Sequence, residues 1–219
     1  MEKLLNKAKD IKIIFFDIDD TLRVKDTGFM PASLTHIFEI LHQKGILTGI
    51  ATGRNLCGVV PEIKALHPDF FVTANGAYVI DKSDQVIYKQ SLPQKVVLDI
   101  VEWLTTSSAE YVVYGADQVV ASAWSDTMQS AIEPIYGQLP IDPDYHLTHN
   151  IYQMVTMSEH DDQLILPEKL SESVRMVRWH EHSSDIVPLN GSKAVGVSQV
   201  LDQLGLSVEN VMNFGDGLN

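Results

Sequence analysis

Cysteine is almost absent from this chain of 219 residues: Cys57 stands alone, which excludes an intrachain disulfide framework and fits a reducing compartment. Positive charge is scarce as well, with 16 Lys and Arg against 29 Asp and Glu and a formal net charge of −13. That balance excludes nonspecific attraction to nucleic acid or to anionic headgroups, and any anionic ligand would need a local positive site. No uncharged apolar run reaches the roughly 18 residues of a membrane span, and the opening MEKLLNKAKD has no apolar signal core. Internal repeats and low-complexity tracts are lacking too. What is present, 45% hydrophobic and 21% charged residues, is the composition of a folded protein with one large domain or two unequal ones. A cytoplasmic protein is expected.

The first third alternates strand and helix signals. Ile11 to Phe16 is short, apolar and β-rich, as suits a strand covered on both faces. Pro31 opens a helical pattern carried by Leu34, Ile37, Phe38 and Leu41 and ended by Gly45. GILTGIATGR reads as a second strand entering a turn, a further helix is expected over 55–66, and DFFVTANGAYVID supplies a third strand and a turn at Asn75-Gly76. This alternation predicts an α/β fold with a doubly wound, parallel-sheet Rossmann-like core. The middle of the chain reads as an inserted α+β unit. Its expected parts are a helix over 92–104, a hairpin around Gly115 to Gln118, a helix near 159–170 and strand-like VRMVRWHEHSSDIVPL. The core pattern returns in NGSKAVGVSQVLDQLG and NVMNFGDGLN, so the expected organisation is core 1–81, inserted domain 82–188 and core again 189–219.

Immediately after the first strand stand Asp17, Asp19 and Asp20, which repel one another and resist burial. An acidic cluster at a strand end is also an ordinary turn. The wider pattern adds weight to a site, because ligands of an open parallel sheet bind beyond the carboxyl ends of its strands. Thr52 follows the second strand, Asp216 follows the last, and Lys193 starts the last helix, where its charge opposes the helix dipole. Three carboxylates at two strand ends suit Mg²⁺, which takes a few carboxylates with waters and phosphate oxygens. With such a cation offsetting the repulsion, Asp17 can attack phosphorus and Asp19 can exchange a proton with the leaving oxygen and with water. Thr52 can hydrogen-bond a phosphoryl oxygen while Lys193 balances its charge.

DIDDTL (Asp17 to Leu22), ATGR (Ala51 to Arg54), Lys193 in NGSKAVG and GDGLN (Gly215 to Asn219) resemble the four motifs of the haloacid dehalogenase-like superfamily. Among its members the chain is most similar to the Cof-type phosphatases, which carry a large α+β cap between the second and third motifs. The resemblance implies a Mg²⁺-dependent phosphatase acting on small phosphorylated metabolites, sugar phosphates among them, through an aspartyl-phosphate. It makes Asp17 the nucleophile and a metal ligand, Asp19 the acid/base with its carbonyl on the metal, and Asp216 the third ligand. Thr52, Gly53 and Lys193 would bind the phosphoryl group with Asn219 close by. Arg54 would either reach the substrate or brace the loop. Asp20 stands where the family often has Gly, and the last motif stops one residue short of its usual Asp, so the resemblance implies a truncated core. A homodimer is compatible with this reading, and no nucleic-acid or membrane partner is expected.

Other functions remain open from sequence. A phosphomutase would return the phosphoryl group to a sugar, and a truncated core could bind phosphate or Mg²⁺ without turnover. A receiver domain also gathers acids, Thr and Lys, but has no room for about a hundred inserted residues. His146 with His149, and His180 with His182, have metal-like spacings without the accompanying Cys or helical zinc motif, and His180 and His182 are expected on one face of a strand. Trp103, Trp124 and Trp179 are expected to pack in the core or cap, and Cys57 to be a small buried side chain.

Overall fold

A computed structural model describes residues 9–216. In chain order it opens with β1 (Ile13–Phe16), α1 (Ser33–Gln43), β2 (Leu47–Ala51), α2 (Pro61–Lys64), β3 (Phe70–Thr73), β4 (Tyr78–Asp81) and β5 (Val86–Lys89). Then come α3 (Gln94–Thr106), β6 (Glu110–Tyr114), β7 (Val119–Ala121), α4 (Asp126–Ala131), α5 (Glu133–Tyr136), α6 (Tyr145–Thr148) and β8 (Gln153–Met157). The remainder is α7 (Glu168–Ser171), β9 (Val174–His180), β10 (Ser183–Pro188), α8 (Lys193–Leu204) and β11 (Val211–Phe214). Two compact units result.

Among the described residues, the first unit comprises 9–54, 59–89 and 193–216. Its sheet has the order β11-β1-β2-β3-β4-β5. The strands from β11 to β3 run parallel, while β4 and β5 are antiparallel additions. The winding on both faces follows from β1 itself. Phe15 packs with Val197, Val200 and Leu201 of α8, whereas Phe16, turned to the other face, meets Phe38 of α1 at 5.1 Å between ring centroids. Because β5 pairs with β4, the second unit starts after it.

That second unit is residues 90–192 together with Asn55–Gly58. Its antiparallel sheet has the order β7-β6-β8-β10-β9. Val97, Ile100 and Leu104 of α3 pack against Tyr111, Val113, Met154 and Ile186 on one sheet face. A fully buried carboxylate, Asp161, is satisfied within this unit. It accepts from Ser184 Oγ at 2.6 Å, from Thr156 Oγ1, and from Arg178 Nη2 at 3.2 Å. Asn55 is also held here, its side-chain amide donating to the Gly115 carbonyl at 2.8 Å and its backbone N–H to Tyr136 Oη at 2.9 Å.

Several local expectations are corrected. The helix expected over 55–66 is a 3₁₀ turn at Leu56–Gly58 followed by the short α2, because Pro61 can only open a helix. Cys57, on that turn, is exposed rather than buried. The helix expected over 159–170 is divided the same way, with Pro167 preceding α7. The long strand-like stretch up to Pro188 is the β9–β10 hairpin, so His180 ends β9 and His182 lies in the turn, not on one strand face. His149 stacks on Tyr145 at 3.9 Å and His146 is buried edge-on to Tyr111. Among the described residues no helix is long and apolar enough to cross a membrane.

Candidate active site

The site begins where β1 ends. Flanked on both sides by parallel strands, β1 delivers Asp17 at the carboxyl edge of the sheet, its N–H donating to the Phe214 carbonyl at 2.9 Å. The side chain is largely covered. Lys193 Nζ donates to Asp17 Oδ2 at 2.5 Å and the Ile18 N–H to Asp17 Oδ1 at 2.7 Å. Burial nevertheless pushes the Asp17 carboxyl above the ordinary aspartate range. Desolvation outweighs the lowering by Lys193 and by the Ile18 amide, and the Asp19 charge adds a smaller push upward. Lys193 and the Ile18 amide thus lower the carboxyl by less than desolvation raises it.

Beyond Asp17 the chain folds into a tight turn around the buried Ile18, whose carbonyl accepts from the N–H groups of Leu22 and Arg23. Asp20 takes φ +55°, the left-handed region in which Gly is at ease and Asp is tolerated. The departure from the family's usual Gly therefore keeps a left-handed turn, and Asp20 Oδ1 accepts from the Lys25 N–H at 2.9 Å. Asp19 is gripped by Arg54 in a two-pronged ion pair, Nε to Oδ2 at 2.9 Å and Nη2 to Oδ1 at 2.6 Å. Arg54 is buried, so its fork fixes the Asp19 rotamer. In this structure the Arg54 side chain is engaged with Asp19.

Thr52 and Gly53 lie just past β2. Thr52 is buried, its N–H donating to the Val72 carbonyl at 2.9 Å. Its Oγ1 accepts from the Arg54 N–H at 3.1 Å, which leaves the hydroxyl hydrogen to donate elsewhere. On the far side, the Ala74 N–H donates to the Arg54 carbonyl at 2.8 Å and the Asn75 N–H to the Thr52 carbonyl at 3.1 Å. The turn at Asn75-Gly76, read from sequence only as a link between strands, thus underlies the Thr52 loop. Its sequence signal was the Asn-Gly pair; its proximity to Thr52 had none.

Asp216 is exposed two residues beyond β11. The adjoining Gly215 lies close to Asp17, since a Cβ added there would be 3.8 Å from Asp17 Cβ. Asn219 lies outside the described residues. No group of three or more His, Cys, Asp or Glu side chains that could hold a metal occurs among the described residues. The ligands that the resemblance implies, the Asp17 and Asp216 carboxylates and the Asp19 carbonyl, are oxygen donors of the kind Mg²⁺ takes. Asp17, Lys193, Val197, Phe214 and Gly215 are among the residues lining a cleft of about 580 Å³.

Residues 14–219 match the family model of the haloacid dehalogenase-like hydrolases. A Streptococcus pyogenes protein, provisionally named a bifunctional phosphatase/peptidyl-prolyl cis-trans isomerase, is 48% identical over 99% of this chain, which spans 46% of that relative. The provisionally named phosphatase YkrA of Bacillus subtilis is 30% identical over 96% of this chain and 81% of its own length. A solved structure described as the HAD subclass IIB sugar phosphatase BT4131 matches with TM-score 0.80 at 23% identity, over 94% of this chain and 81% of that one, a likeness of fold. The chain belongs to the haloacid dehalogenase-like hydrolase family, and its relatives are of the Cof-type phosphatase kind.

Proposed function

We propose that the chain is a Mg²⁺-dependent phosphatase that hydrolyses small phosphate esters through a phosphoryl group carried on Asp17. The observation that carries this is the pairing of two neighbouring acids with two buried cations, Asp17 with Lys193 and Asp19 with Arg54, beside the Thr52 hydroxyl. Bound Mg²⁺ would supply positive charge to Asp17 and to the phosphoryl oxygens, held by Asp17, Asp216 and the Asp19 carbonyl.

The remaining chemistry belongs to the side chains. Asp17 attacks phosphorus, and the P–O ester bond breaks with its electron pair leaving on the alcohol oxygen. Asp19, entering the cycle protonated on an oxygen released from Arg54 while the other oxygen keeps its bond to the guanidinium, donates the proton that neutralises the alcohol oxygen. It then takes a proton from water as the water oxygen bonds to phosphorus, which releases inorganic phosphate and restores the Asp17 carboxylate. Thr52 and the Gly53 N–H hold phosphoryl oxygens, and Lys193 moves part of its attraction from Asp17 to the substrate. Sugar phosphates are the proposed substrate class, in line with the described activity of the structural relative BT4131.

The test is phosphate release from an aryl phosphate, with Mg²⁺ and with excess chelator, using the wild type and Asp17→Asn. Release that requires both the metal and Asp17 is expected. Metal-independent release, or release undiminished in Asp17→Asn, would refute the mechanism.

A further inference from the structure

The turn between β3 and β4 carries a backbone feature that no ordinary link needs. Ala74, Asn75 and Gly76 have successive φ values of +49°, +52° and +91°. Two of these residues are not glycine, and a run of left-handed residues with side chains is uncommon. Such conformations persist where the surroundings over-determine them, and they gather at functional sites. The surroundings here can be named. The turn is buried, with Asn75 only 6% exposed. Its backbone N–H groups hold the Thr52 and Arg54 carbonyls, as described above. Its Asn75 amide lies close to Gly53, where an added Cβ would come within 3.2 Å of Asn75 Oδ1 and 3.3 Å of Nδ2.

The same turn touches the helix that carries Lys193. Gly196, one turn along α8, packs so closely that an added Cβ would stand 2.9 Å from the Gly76 Cα. The loop holding Thr52 and the helix holding Lys193 therefore rest on one strained, buried segment. A single residue of that segment, Asn75, presents a polar side chain to the residue between Thr52 and Arg54.

We propose that Asn75 is a positioning residue for phosphoryl binding, its side chain bracing Gly53 so that the Thr52 hydroxyl and the Gly53 amide converge on one phosphoryl oxygen. This rests on the phosphatase reading, in which Thr52 and Gly53 are the phosphoryl-binding pair. A misplacement of about 1 Å in such a pair costs on the order of 10²-fold in rate. The left-handed backbone and the side-chain brace are separable, because glycine keeps the first and removes the second.

The experiment compares wild type, Asn75→Gly, Asn75→Ala and Asp17→Asn. Each is assayed for kcat/KM on an aryl phosphate, for inhibition by inorganic phosphate, for the Mg²⁺ concentration giving half-maximal activity, and for Tm. Calorimetric titration with inorganic phosphate in the presence of Mg²⁺ supplies a readout without turnover. Asn75→Gly is expected to lose about 10- to 100-fold in kcat/KM and to weaken phosphate binding, while the half-activating Mg²⁺ concentration stays within about twofold of wild type. Asn75→Ala should lose at least as much, with a lower Tm from backbone strain. Wild-type kcat/KM and phosphate affinity in Asn75→Gly would overturn the proposal, leaving only the backbone turn. If Asn75→Ala fails to fold, Asn75→Gly decides alone. Should the wild type show no Asp17-dependent turnover, the phosphatase reading fails separately. Weaker phosphate binding in folded Asn75→Gly would then still support the brace, and equal or absent binding in both proteins would end it.

Discussion

Asp17 and Asp161 are both covered aspartates, one in each unit, and they are provided for in opposite ways. Asp161, in the unit with the antiparallel sheet, receives two hydroxyls and an arginine, all fixed by the strands beside it. Asp17, at the end of a parallel strand, receives one lysine and one backbone amide, and burial still pushes its carboxyl upward. Burial of an acid alone does not mark a reactive site. Under the proposed function, the distinguishing feature of Asp17 is its place at the carboxyl edge of the parallel sheet, where ligands of such sheets bind.

That contrast yields three tests in falling order of effect. Asp19→Asn keeps the size of the side chain but removes the proton carrier, and kcat is expected to fall by about 10²- to 10⁴-fold in a steady-state assay. A smaller loss would mean that the Arg54 pair is structural, like the Asp161 cluster. Asp161→Ala should do the converse. It removes the carboxylate bonded by Thr156, Ser184 and Arg178 and should cost about 1–3 kcal/mol in denaturant unfolding, with kcat unchanged in the folded fraction. A large loss of kcat with unaltered stability would erase the distinction between the two acids. Asp20→Gly should matter least. Glycine relieves the left-handed φ while the Asp20 bond to Lys25 disappears, so stability should move by less than about 1 kcal/mol.

The parts of this arrangement legible in the sequence were those set by local pattern. The apolar Ile11–Phe16 run suited a covered strand, which the structure places at Ile13–Phe16, and the acids directly after it follow the strand's carboxyl end. Thr52, Arg54 and Lys193 could be placed because each follows or starts a well-marked element. The pairing of Arg54 with Asp19 was not readable, since it joins residues 35 apart through a rotamer choice. Nor was the assignment of Asn55–Gly58 to the second unit, which depends on Gly115 and Tyr136 far along the chain. The short helices were overextended for a local reason, as apolar spacing continues across Pro61 and Pro167 although the backbone hydrogen bonds cannot.

The central claim is that Asp17 is the acid that attacks phosphorus. The most direct test is a rapid acid quench of the protein turning over a radiolabelled phosphate ester with Mg²⁺, followed by peptide mapping. A phosphoryl label on the Asp17 peptide in the wild type, absent in Asp17→Asn, is the predicted result. Steady turnover with no label on that peptide, continuing in Asp17→Asn, would contradict it.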